Sequence, residues 1–345
     1  MAIAREDPKN LDELNRELAQ GYMRGLWARE IPERGEPRPF GPPHVWKWEA
    51  IHSGLLAAGD LVSLDRFGVR RNIGLVNPGL VEQGAFASAT MTMGFQLVKS
   101  GETALAHRHT ASAIRFIVEG QVGAYTVVNG EKCTMERGDL ILTPNWHWHD
   151  HHNESERPVI WIDGLDAPMG MALRAGFTEP YHDPKGQPLK SAVDYASRNP
   201  GGLSVPGPAP VRLIYKWKET LAALHGINDT NKSPHDGRCL EYRNETYGGH
   251  TLRSFTCWIQ MLDGGEETLR HRHTTTHLYH VVEGEGSTEA GEKKLAWEKG
   301  DCFVIPNWTW HRHRNTDPRE PAILFSMNDL PVQQALDLYR EERSE

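Results

Sequence analysis

The chain has 345 residues, of which 38% are hydrophobic and 24% are charged, as is typical of a folded globular protein with a sizeable core. Its formal net charge of −8 at pH 7 argues against a nucleic-acid or anionic-membrane partner, because both bind basic surfaces. The four cysteines are scattered without a C-x-x-C pair, which argues against a disulfide framework and a zinc ribbon.

The N-terminal part, residues 1–85, is predicted to be a helical and extended arm. Its first ten residues, "MAIAREDPKN", lack the apolar segment of a secretory signal, and no run in the chain is long enough for a transmembrane helix. We therefore expect a cytoplasmic protein. Residues 8–29 are predicted to form an amphipathic helix. The residues at helical spacing are Leu11, Leu14, Leu18 and Tyr22.

The rest of the chain contains an internal repeat. Residues 101–120, "GETALAHRHTASAIRFIVEG", align with residues 265–284, "GEETLRHRHTTTHLYHVVEG", at a constant offset of 164 positions. Further along, 137–153 aligns with 299–315 at an offset of 162. Two long blocks that match in the same order indicate a duplicated domain.

Both copies are predicted to consist of short strands. The segments rich in branched and aromatic residues, bounded by Gly, Asn-Gly or Pro, include "AIRFIVEG", "GAYTVVNG", "LYHVVEGEG" and "DCFVIP". Many short strands at this spacing are typical of an antiparallel sandwich or barrel. We assign the first copy to 86–166 and the second to 236–330.

Residues 167–235 are predicted to connect the two copies. The segment is rich in Gly and Pro, as in "NPGGLSVPGPAP", and it is too long for a turn, so we expect it to run over the surface. It contains a predicted helix at 217–226, "WKETLAALHG", and another helix is predicted at the C-terminus over 331–345.

Histidines are the main candidates for function. The stretch "PNWHWHDHHN" contains His147, His149, His151 and His152. If this stretch is extended, His147, His149 and His151 share one face, because side chains alternate along a strand. The repeat separates these histidines: His149 is matched by His311, whereas His147 is matched by Thr309.

The histidines shared by the two copies form a candidate metal site. His107 and His109 share a face of one predicted strand, and His149 lies on another, so the three imidazoles would face the barrel interior. The second copy repeats them as His271, His273 and His311. Histidines at matched positions in both copies are typical of metal ligands. A set of surface or hydrogen-bonded histidines is the alternative interpretation.

The two "G-x5-H-x-H" segments, each followed by "GD…P-x-W-x-W-H", resemble a bicupin. The implied fold is all-β dominated, with two tandem double-stranded β-helix (jelly-roll) barrels and flanking helices at the N-terminus, between the barrels and at the C-terminus. Residues 106–151 and "WIDGLD" are similar to the gentisate 1,2-dioxygenase family, with its salicylate and 1-hydroxy-2-naphthoate dioxygenase relatives. Ordinary cupins place a glutamate where Ala113 and Ile114 stand, and this family lacks that glutamate.

The resemblance implies an Fe(II)-dependent ring-cleaving dioxygenase. A 2-hydroxybenzoate would be cleaved by O2 between the carbons that bear the hydroxyl and the carboxylate, and gentisate would give maleylpyruvate. Three neutral ligands leave the charge of the ion uncancelled and leave positions open for substrate and O2. Zinc is excluded for this function because the ion must be redox-active. The family also implies a homotetramer.

Arg115 is the main candidate for holding the substrate carboxylate. It lies an even number of residues after His109, so a continuous strand would point it into the barrel. A guanidinium there fits a carboxylate or a phenolate, and a structural pair with a buried Asp or Glu is the alternative. The resemblance adds positions that match Gln96, Arg71, His151 and Asp163, with Arg70 competing with Arg71.

Three further residues bear on the substrate. Gly94 shares a face with Gln96, and its small size would leave room for a ring. His151 could exchange a proton or steady bound oxygen. Thr92 stands where relatives usually carry Trp, which widens the pocket or changes how the ring is held. Salicylate, 5-nitrosalicylate and 1-hydroxy-2-naphthoate therefore compete with gentisate as substrates.

The second copy has lost the predicted carboxylate clamp, because Tyr279 replaces Arg115. It retains the three histidines, with His277 near the place of the usual cupin glutamate. Either a structural metal or a degenerate cupin fits this pattern. For the whole chain, the alternative functions are a non-catalytic bicupin and a Zn or Mn cupin isomerase or hydrolase.

Overall fold

A computed structural model of the chain describes residues 10–28, 35–64, 70–84, 86–183, 185–199 and 211–345. The chain divides into two compact units, 1–37 and 38–345. In the first unit, helix α1 (Leu11–Gln20) begins after Asn10, whose side chain accepts a hydrogen bond from the Glu13 amide at 2.9 Å. It is shorter than the predicted 8–29 because the chain turns at Gly21 and at Tyr22, which has a φ of 57°.

The second unit is built mainly from strands. Those up to the middle of the chain are β1 (His44–Trp46), β2 (Asn72–Gly74), β3 (Thr92–Val98), β4 (Thr103–His109), β5 (Ala113–Glu119), β6 (Ala124–Val128), β7 (Glu131–Thr134), β8 (Leu140–Thr143), β9 (His149–Asn153), β10 (Val159–Leu165), β11 (Thr178–Pro180) and β12 (Ile214–Tyr215). The later strands are β13 (Arg238–Glu241), β14 (Thr256–Leu262), β15 (His271–His273), β16 (His277–Glu283), β17 (Glu285–Ala290), β18 (Lys293–Glu298), β19 (Cys302–Ile305), β20 (His311–Asn315), β21 (Ala322–Asn328) and β22 (Glu341–Arg343). The remaining helices are α2 (Trp48–Leu61), α3 (Ala167–Ala172), α4 (Tyr195–Arg198), α5 (Trp217–His225) and α6 (Leu330–Ala335).

The strands form two barrels, each made of a six-stranded and a five-stranded antiparallel sheet. The first barrel has the strand orders β12-β8-β5-β10-β3-β2 and β11-β4-β9-β6-β7. The second has β1-β19-β16-β21-β14-β13 and β18-β17-β20-β15-β22. The predicted bicupin fold is thus confirmed, and the four quoted strand segments correspond to β5, β6, β16 and β19.

The two six-stranded sheets share a hydrophobic core between the barrels. Alternate residues of β5 divide between two environments: Ile114 and Phe116 belong to the core between the barrels, whereas Ile117 lies in the core inside the first barrel. Phe116 stacks on Phe325 of the second barrel with ring centroids 4.3 Å apart. Burial on both faces explains why these strands read as continuous apolar runs.

Each barrel receives an edge strand from the segment that precedes the other barrel in the sequence. β1 pairs with β19 of the second barrel, and β12 pairs with β8 of the first. The predicted arm and the predicted connection therefore both contribute strands to the barrels. Sequence patterns missed this, because β1 and β12 have only three and two residues.

Matched ion pairs attach these crossing segments. Lys47 pairs with Asp301, whose carboxylate also accepts a hydrogen bond from the Trp48 amide at 2.9 Å. Lys216 and the amide of Trp217 bond to Asp139 in the same way. The glycines before these aspartates have positive φ, and a Cβ atom there would lie within 2.5 Å of an indole ring. The duplication therefore includes the crossing segments.

The C-terminal prediction of one helix over 331–345 is wrong. Helix α6 is short, Asp337 takes a φ of 56° just after it, and the chain then forms β22 beside β15. The helix predicted at 217–226 is present as α5. Of the predicted linker "NPGGLSVPGPAP", residues 200–210 lie outside the described residues. Among the described residues no helix is long and apolar enough to cross a membrane.

Candidate metal and substrate site

Three histidines converge inside the first barrel, as predicted. His107 on β4 lies directly opposite His149 on β9, and His109 is two residues further along the same face of β4. The ring centroids are 4.2 Å (His107–His149), 4.8 Å (His109–His149) and 5.4 Å (His107–His109) apart. One ring nitrogen from each lies within 4.8 Å of the others, so the three form a possible metal-binding group.

The outer ring nitrogens of this triad point at backbone carbonyls. Nδ1 of His109 lies 2.7 Å from the Ala111 oxygen, and Nδ1 of His149 lies 3.0 Å from the His147 oxygen. A carbonyl only accepts, so each Nδ1 carries the proton and each Nε2 presents a lone pair. Nε2 of His149 is buried and has no hydrogen-bond partner among the described residues. A buried imidazole oriented in this way is typical of a metal ligand.

Burial keeps the triad neutral. It lowers the pKa of His107 to about 2, assisted by Arg70, and lowers the pKa of His109 to about 4. Burial also lowers the pKa of His149 well below its usual value. Neutral imidazoles with converging ring nitrogens are what a divalent transition-metal ion requires, so these residues fit such an ion.

Arg115 faces the barrel interior, as its position relative to His109 predicts. Its guanidinium is buried and donates to Thr143 Oγ1. Its Nε lies 3.6 Å from Asp163 Oδ1 and has no hydrogen-bond partner within the described part of the chain. The charge of Arg115 contributes to the lowered pKa of all three triad histidines, so it lies close to them.

Asp163 is held by donors on both oxygens. Trp161 Nε1 donates to Oδ1 at 2.8 Å, and Asn72 Nδ2 donates to Oδ2 at 2.9 Å. Burial raises the pKa of Asp163, although Arg115 and these donors favour the ionised form. Arg115 therefore lies beside the candidate metal ligands, as predicted. It also pairs with a buried acid, which was the alternative prediction.

Arg70, and not Arg71, lies beside the triad. Nη2 of Arg70 is 2.8 Å from the Leu105 oxygen and 2.8 Å from His107 Nδ1. Arg71 instead pairs with Glu102 and donates to the Val62 oxygen at 2.6 Å. Arg71, which the resemblance matched to a substrate-binding position, therefore points away from the triad. Asn72, two residues further along, reaches the same cluster through its bond to Asp163.

Gln96 and Gly94 lie on the inner face of β3. Gln96 is opposite Trp161, and its buried Nε2 has no hydrogen-bond partner among the residues described. Gly94 is opposite Asp163, but the space at its Cα is taken by β2. A Cβ there would lie 2.5 Å from Asn72 Oδ1 and 2.9 Å from the Ile73 oxygen. The missing side chain thus makes room for β2, not for the predicted ring.

His151 lies next to the triad, and His147 does not take part in it. Nδ1 of His151 is 2.8 Å from Thr126 Oγ1, and burial together with Arg115 lowers its pKa well below the usual value. The strand begins only at His149, since Trp146 has a φ of 63°, so the expectation that His147 shares this face is wrong. Thr92 is half-buried at the start of β3.

Comparison with known proteins identifies the family. A cupin-domain family model matches residues 94–165 and 258–328. The chain is 38% identical to 5-aminosalicylate 1,2-dioxygenase of Comamonas sp. (96% of this chain, 90% of that protein) and 36% identical to 1-hydroxy-2-naphthoate 1,2-dioxygenase of Nocardioides sp. strain KP7 (96% and 87%). Its structure matches salicylate 1,2-dioxygenase of Pseudoaminobacter salicylatoxidans, crystallised with gentisate, at 31% identity and a TM-score of 0.85 (99% and 96%).

The chain belongs to the gentisate and salicylate 1,2-dioxygenase family. It is therefore a ring-cleaving 1,2-dioxygenase, as the motifs around His107 and His149 predicted.

The dioxygenase has a second histidine triad in its second barrel. His271, His273 and His311 are buried, and their ring centroids are 4.3, 5.1 and 5.4 Å apart, which is close to the spacing in the first barrel. Sequence reasoning predicted these three residues but left open whether they bind metal.

A separate surface cavity of the dioxygenase contains neither triad. It has a volume of about 540 Å³ and is lined by residues of both six-stranded sheets, among them Phe116, Arg137 and His280. The histidine triads and Arg115 are not among its lining residues, so this cavity is not the substrate site suggested by the chemistry.

Proposed function

We propose that the enzyme binds Fe(II) through His107, His109 and His149 and cleaves a 2-hydroxybenzoate with O2 between the carbons that bear the hydroxyl and the carboxylate. Gentisate, which would give maleylpyruvate, is the substrate we propose first. When bound, the iron supplies open coordination positions for the substrate oxygens and O2 and a redox couple between ring and O2.

The charge of the cluster is the observation that carries this proposal. Two guanidinium groups, Arg70 and Arg115, and one carboxylate, Asp163, surround neutral imidazoles. The protein groups alone therefore have a net charge of one positive, and a divalent ion raises it to three positive. A doubly ionised 2-hydroxybenzoate, with its carboxylate and phenolate, offsets most of this charge in a buried site.

Arg115 would bind the substrate carboxylate. Its Nε has no hydrogen-bond partner among the described residues, although the side chain is only 3% exposed. An unsatisfied buried guanidinium donor costs stability unless a ligand accepts from it. Asp163, fixed by Trp161 and Asn72, keeps this guanidinium oriented. Gln96 offers a second orphaned donor on the same inner face.

His151 would accept a hydrogen bond from the substrate hydroxyl, because burial and Arg115 lower its pKa and keep the ring neutral. The Thr126 hydroxyl lies 3.4 Å from Met135 Sδ, so it can donate there and accept from His151 Nδ1. Nε2 of the neutral ring then remains as an acceptor. Loss of the hydroxyl proton gives the phenolate that the positive site favours. Arg70, beside His107, adds to the positive charge that stabilises this anion.

A larger substrate is the second candidate, and Thr92 is the observation that favours it. Thr92 is a small residue at the start of β3, two positions before Gly94, where relatives usually carry Trp. Its size supports a 5-substituted salicylate such as 5-nitrosalicylate, or 1-hydroxy-2-naphthoate, and salicylate itself fits the same clamp. Thr92→Trp should then lower kcat/KM for the bicyclic acid more than for gentisate. Equal losses for both acids would remove this candidate.

Anaerobic reconstitution with Fe(II) tests the main proposal. The metal-free protein is loaded with Fe(II) or Zn(II), and O2 uptake is followed with gentisate, salicylate, 5-nitrosalicylate and 1-hydroxy-2-naphthoate. We expect uptake only with iron, one O2 per substrate, and both oxygen atoms in the ring-opened product. Turnover by the zinc-loaded enzyme, or failure of the iron-loaded enzyme to consume any of the four acids, would overturn the proposal. Light scattering checks the proposed homotetramer.

A further inference from the structure

We propose that the second barrel binds a divalent transition-metal ion through His271, His273 and His311, and that this ion is structural and fastens the C-terminal strand. Glu341 would support His271 from behind, and Asp236 would place a negative charge beside the ion. This inference does not rest on the substrate or on the metal proposed for the first barrel.

Buried nitrogens without partners are the first observation. Nδ1 of His273 lies 3.0 Å from the Thr275 oxygen and Nδ1 of His311 lies 2.9 Å from the Thr309 oxygen, so each Nε2 presents a lone pair. Those two Nε2 atoms and both ring nitrogens of His271 have no hydrogen-bond partner within the described residues. All three side chains are at most 5% exposed. So many orphaned buried nitrogens would be costly without a shared ligand.

Two carboxylates approach His271 from opposite sides. Asp236 Oδ1 lies 3.8 Å from Nε2, and Glu341 Oε1 lies 3.7 Å from Nδ1. Asp236 lies outside the group of converging ligand atoms formed by the three histidines, so its carboxylate contributes charge beside His271. Glu341, which also pairs with Arg343 at 2.8 Å, would accept the Nδ1 proton on closing this distance, which would fix the tautomer and make Nε2 a stronger donor to metal.

Glu341 is specific to the second barrel. β22 pairs with β15 as β11 pairs with β4, and the register places Glu341 opposite His273 where the first barrel has Thr178 opposite His109. The next residue along is the same in both barrels: Glu179 pairs with Arg108, and Glu342 pairs with Arg272. The architecture is thus repeated, and the added carboxylate is a local change toward the triad.

The residues that make the first site suitable for an anionic substrate have counterparts of different chemistry here. Arg115 corresponds to Tyr279, and Asp163, which pairs with Arg115, corresponds to Ser326, which pairs with Tyr279. Asn72 pairs with Gln96 and Cys239 pairs with Gln260, so Arg70 corresponds to Gly237.

Aromatic rings pack where the substrate clamp would lie. His277 stacks on His273 at 4.3 Å, and its Nδ1 is 3.1 Å from the Tyr279 hydroxyl. Trp258 occupies the position of Gly94, since it pairs with Ser326 as Gly94 pairs with Asp163. A histidine triad without a substrate clamp, with aromatic rings in the space where the clamp would lie, describes a structural site.

Metal counting in a first-site variant tests the proposal. His149→Ala protein is stripped with chelator, exposed anaerobically to Zn(II) or Fe(II), desalted and analysed for metal. We expect about one equivalent per chain in His149→Ala, about two in the unmodified enzyme and none in His149→Ala/His311→Ala. We also expect that metal raises the thermal midpoint of His149→Ala and slows amide hydrogen exchange over 341–344. The absence of bound metal, or of slowed exchange, overturns the proposal.

Glu341→Gln tests the supporting carboxylate with all three imidazoles in place, and Glu342→Gln is the matched control on the same strand. In the His149→Ala background, Glu341→Gln should weaken metal binding about tenfold or more, and Glu342→Gln should leave it unchanged. Equal effects of the two changes would overturn the role of Glu341. Ring cleavage by the metal-loaded His149→Ala protein would overturn the structural role of the site.

Discussion

Replacing Arg115 with Ala separates a substrate clamp from a structural ion pair. In both roles the guanidinium is buried beside Asp163, with Nε 3.6 Å from Oδ1. Only as a clamp does it also stabilise a bound carboxylate. We expect Arg115→Ala to lower kcat/KM by about a hundredfold or more while the metal content stays unchanged, because the metal ligands are retained.

The magnitude follows from the burial of the charge. Removing one partner of a buried charge pair costs about 3–5 kcal/mol. Each 1.36 kcal/mol lost from transition-state stabilisation is a tenfold loss in rate, so the lower limit corresponds to more than a hundredfold. The folding cost is smaller, because Asp163 keeps its bonds to Trp161 and Asn72 and burial already raises its pKa, so it can take up a proton.

A double-mutant cycle with Asp163→Asn makes the test decisive. If Arg115 binds substrate, Arg115→Ala still costs about a hundredfold in the Asp163→Asn background. If Arg115 only satisfies Asp163, the loss disappears in that background, and the proposed clamp is refuted. Arg115→Lys should recover only part of the activity, since an ammonium cannot reproduce the planar fork. Arg71→Lys is the matched control: it alters a buried pair with Glu102 and should leave kcat/KM near that of the unmodified enzyme.

Three further predictions concern the same elements. His149→Ala should abolish activity and remove one metal per chain, whereas His147→Ala should do neither; normal metal content in His149→Ala would contradict the ligand assignment. Gly94→Ala should displace Asn72 from Asp163 and destabilise the fold by about 1–3 kcal/mol in denaturant unfolding, and unchanged stability would show that β2 yields easily. Burial and Arg137 lower the pKa of His280 to about 3, so below about pH 6.5 the unfolded chain binds a proton that the folded chain does not, and the free energy of unfolding falls as the pH falls. His280→Phe should reduce this fall between pH 7.5 and 5.5 by about 1 kcal/mol. An unchanged pH dependence would refute the assignment.

The sequence predicted those parts of the site that depend on strand alternation and on the repeat. Side chains two apart on a strand share a face, which placed His107 with His109. Arg115 points inward as predicted, although it lies on β5 and the expected continuous strand from His109 is broken between β4 and β5. The repeat then selected His149 over His147. Neither rule needs knowledge of which strands are neighbours, and for that reason these residues could be named before the fold was known.

Residues that depend on neighbouring segments could not be predicted in this way. Arg70 and Arg71 are adjacent, and the choice between them depends on where β2 begins, at Asn72. Gly94 looked like space for a ring because the approach of β2 is not visible in β3 itself. At the C-terminus, a sequence with helical periodicity forms β22 because pairing with β15 outweighs local propensity.

The two triads show why histidine geometry alone does not determine function. The ring centroids of His107 and His149 are 4.2 Å apart, and those of their counterparts His271 and His311 are 4.3 Å apart. What differs is the charge behind the first histidine of each pair, where an arginine lies in one barrel and a carboxylate in the other. At the second triad, Asp236, Glu341 and Arg343, the partner of Glu341, together carry one negative charge and reduce the demand for an anionic ligand, whereas an arginine adds to that demand. We therefore expect the barrel with the arginine to bind the anionic aromatic acid, and Tyr279→Arg alone should not create a second active site.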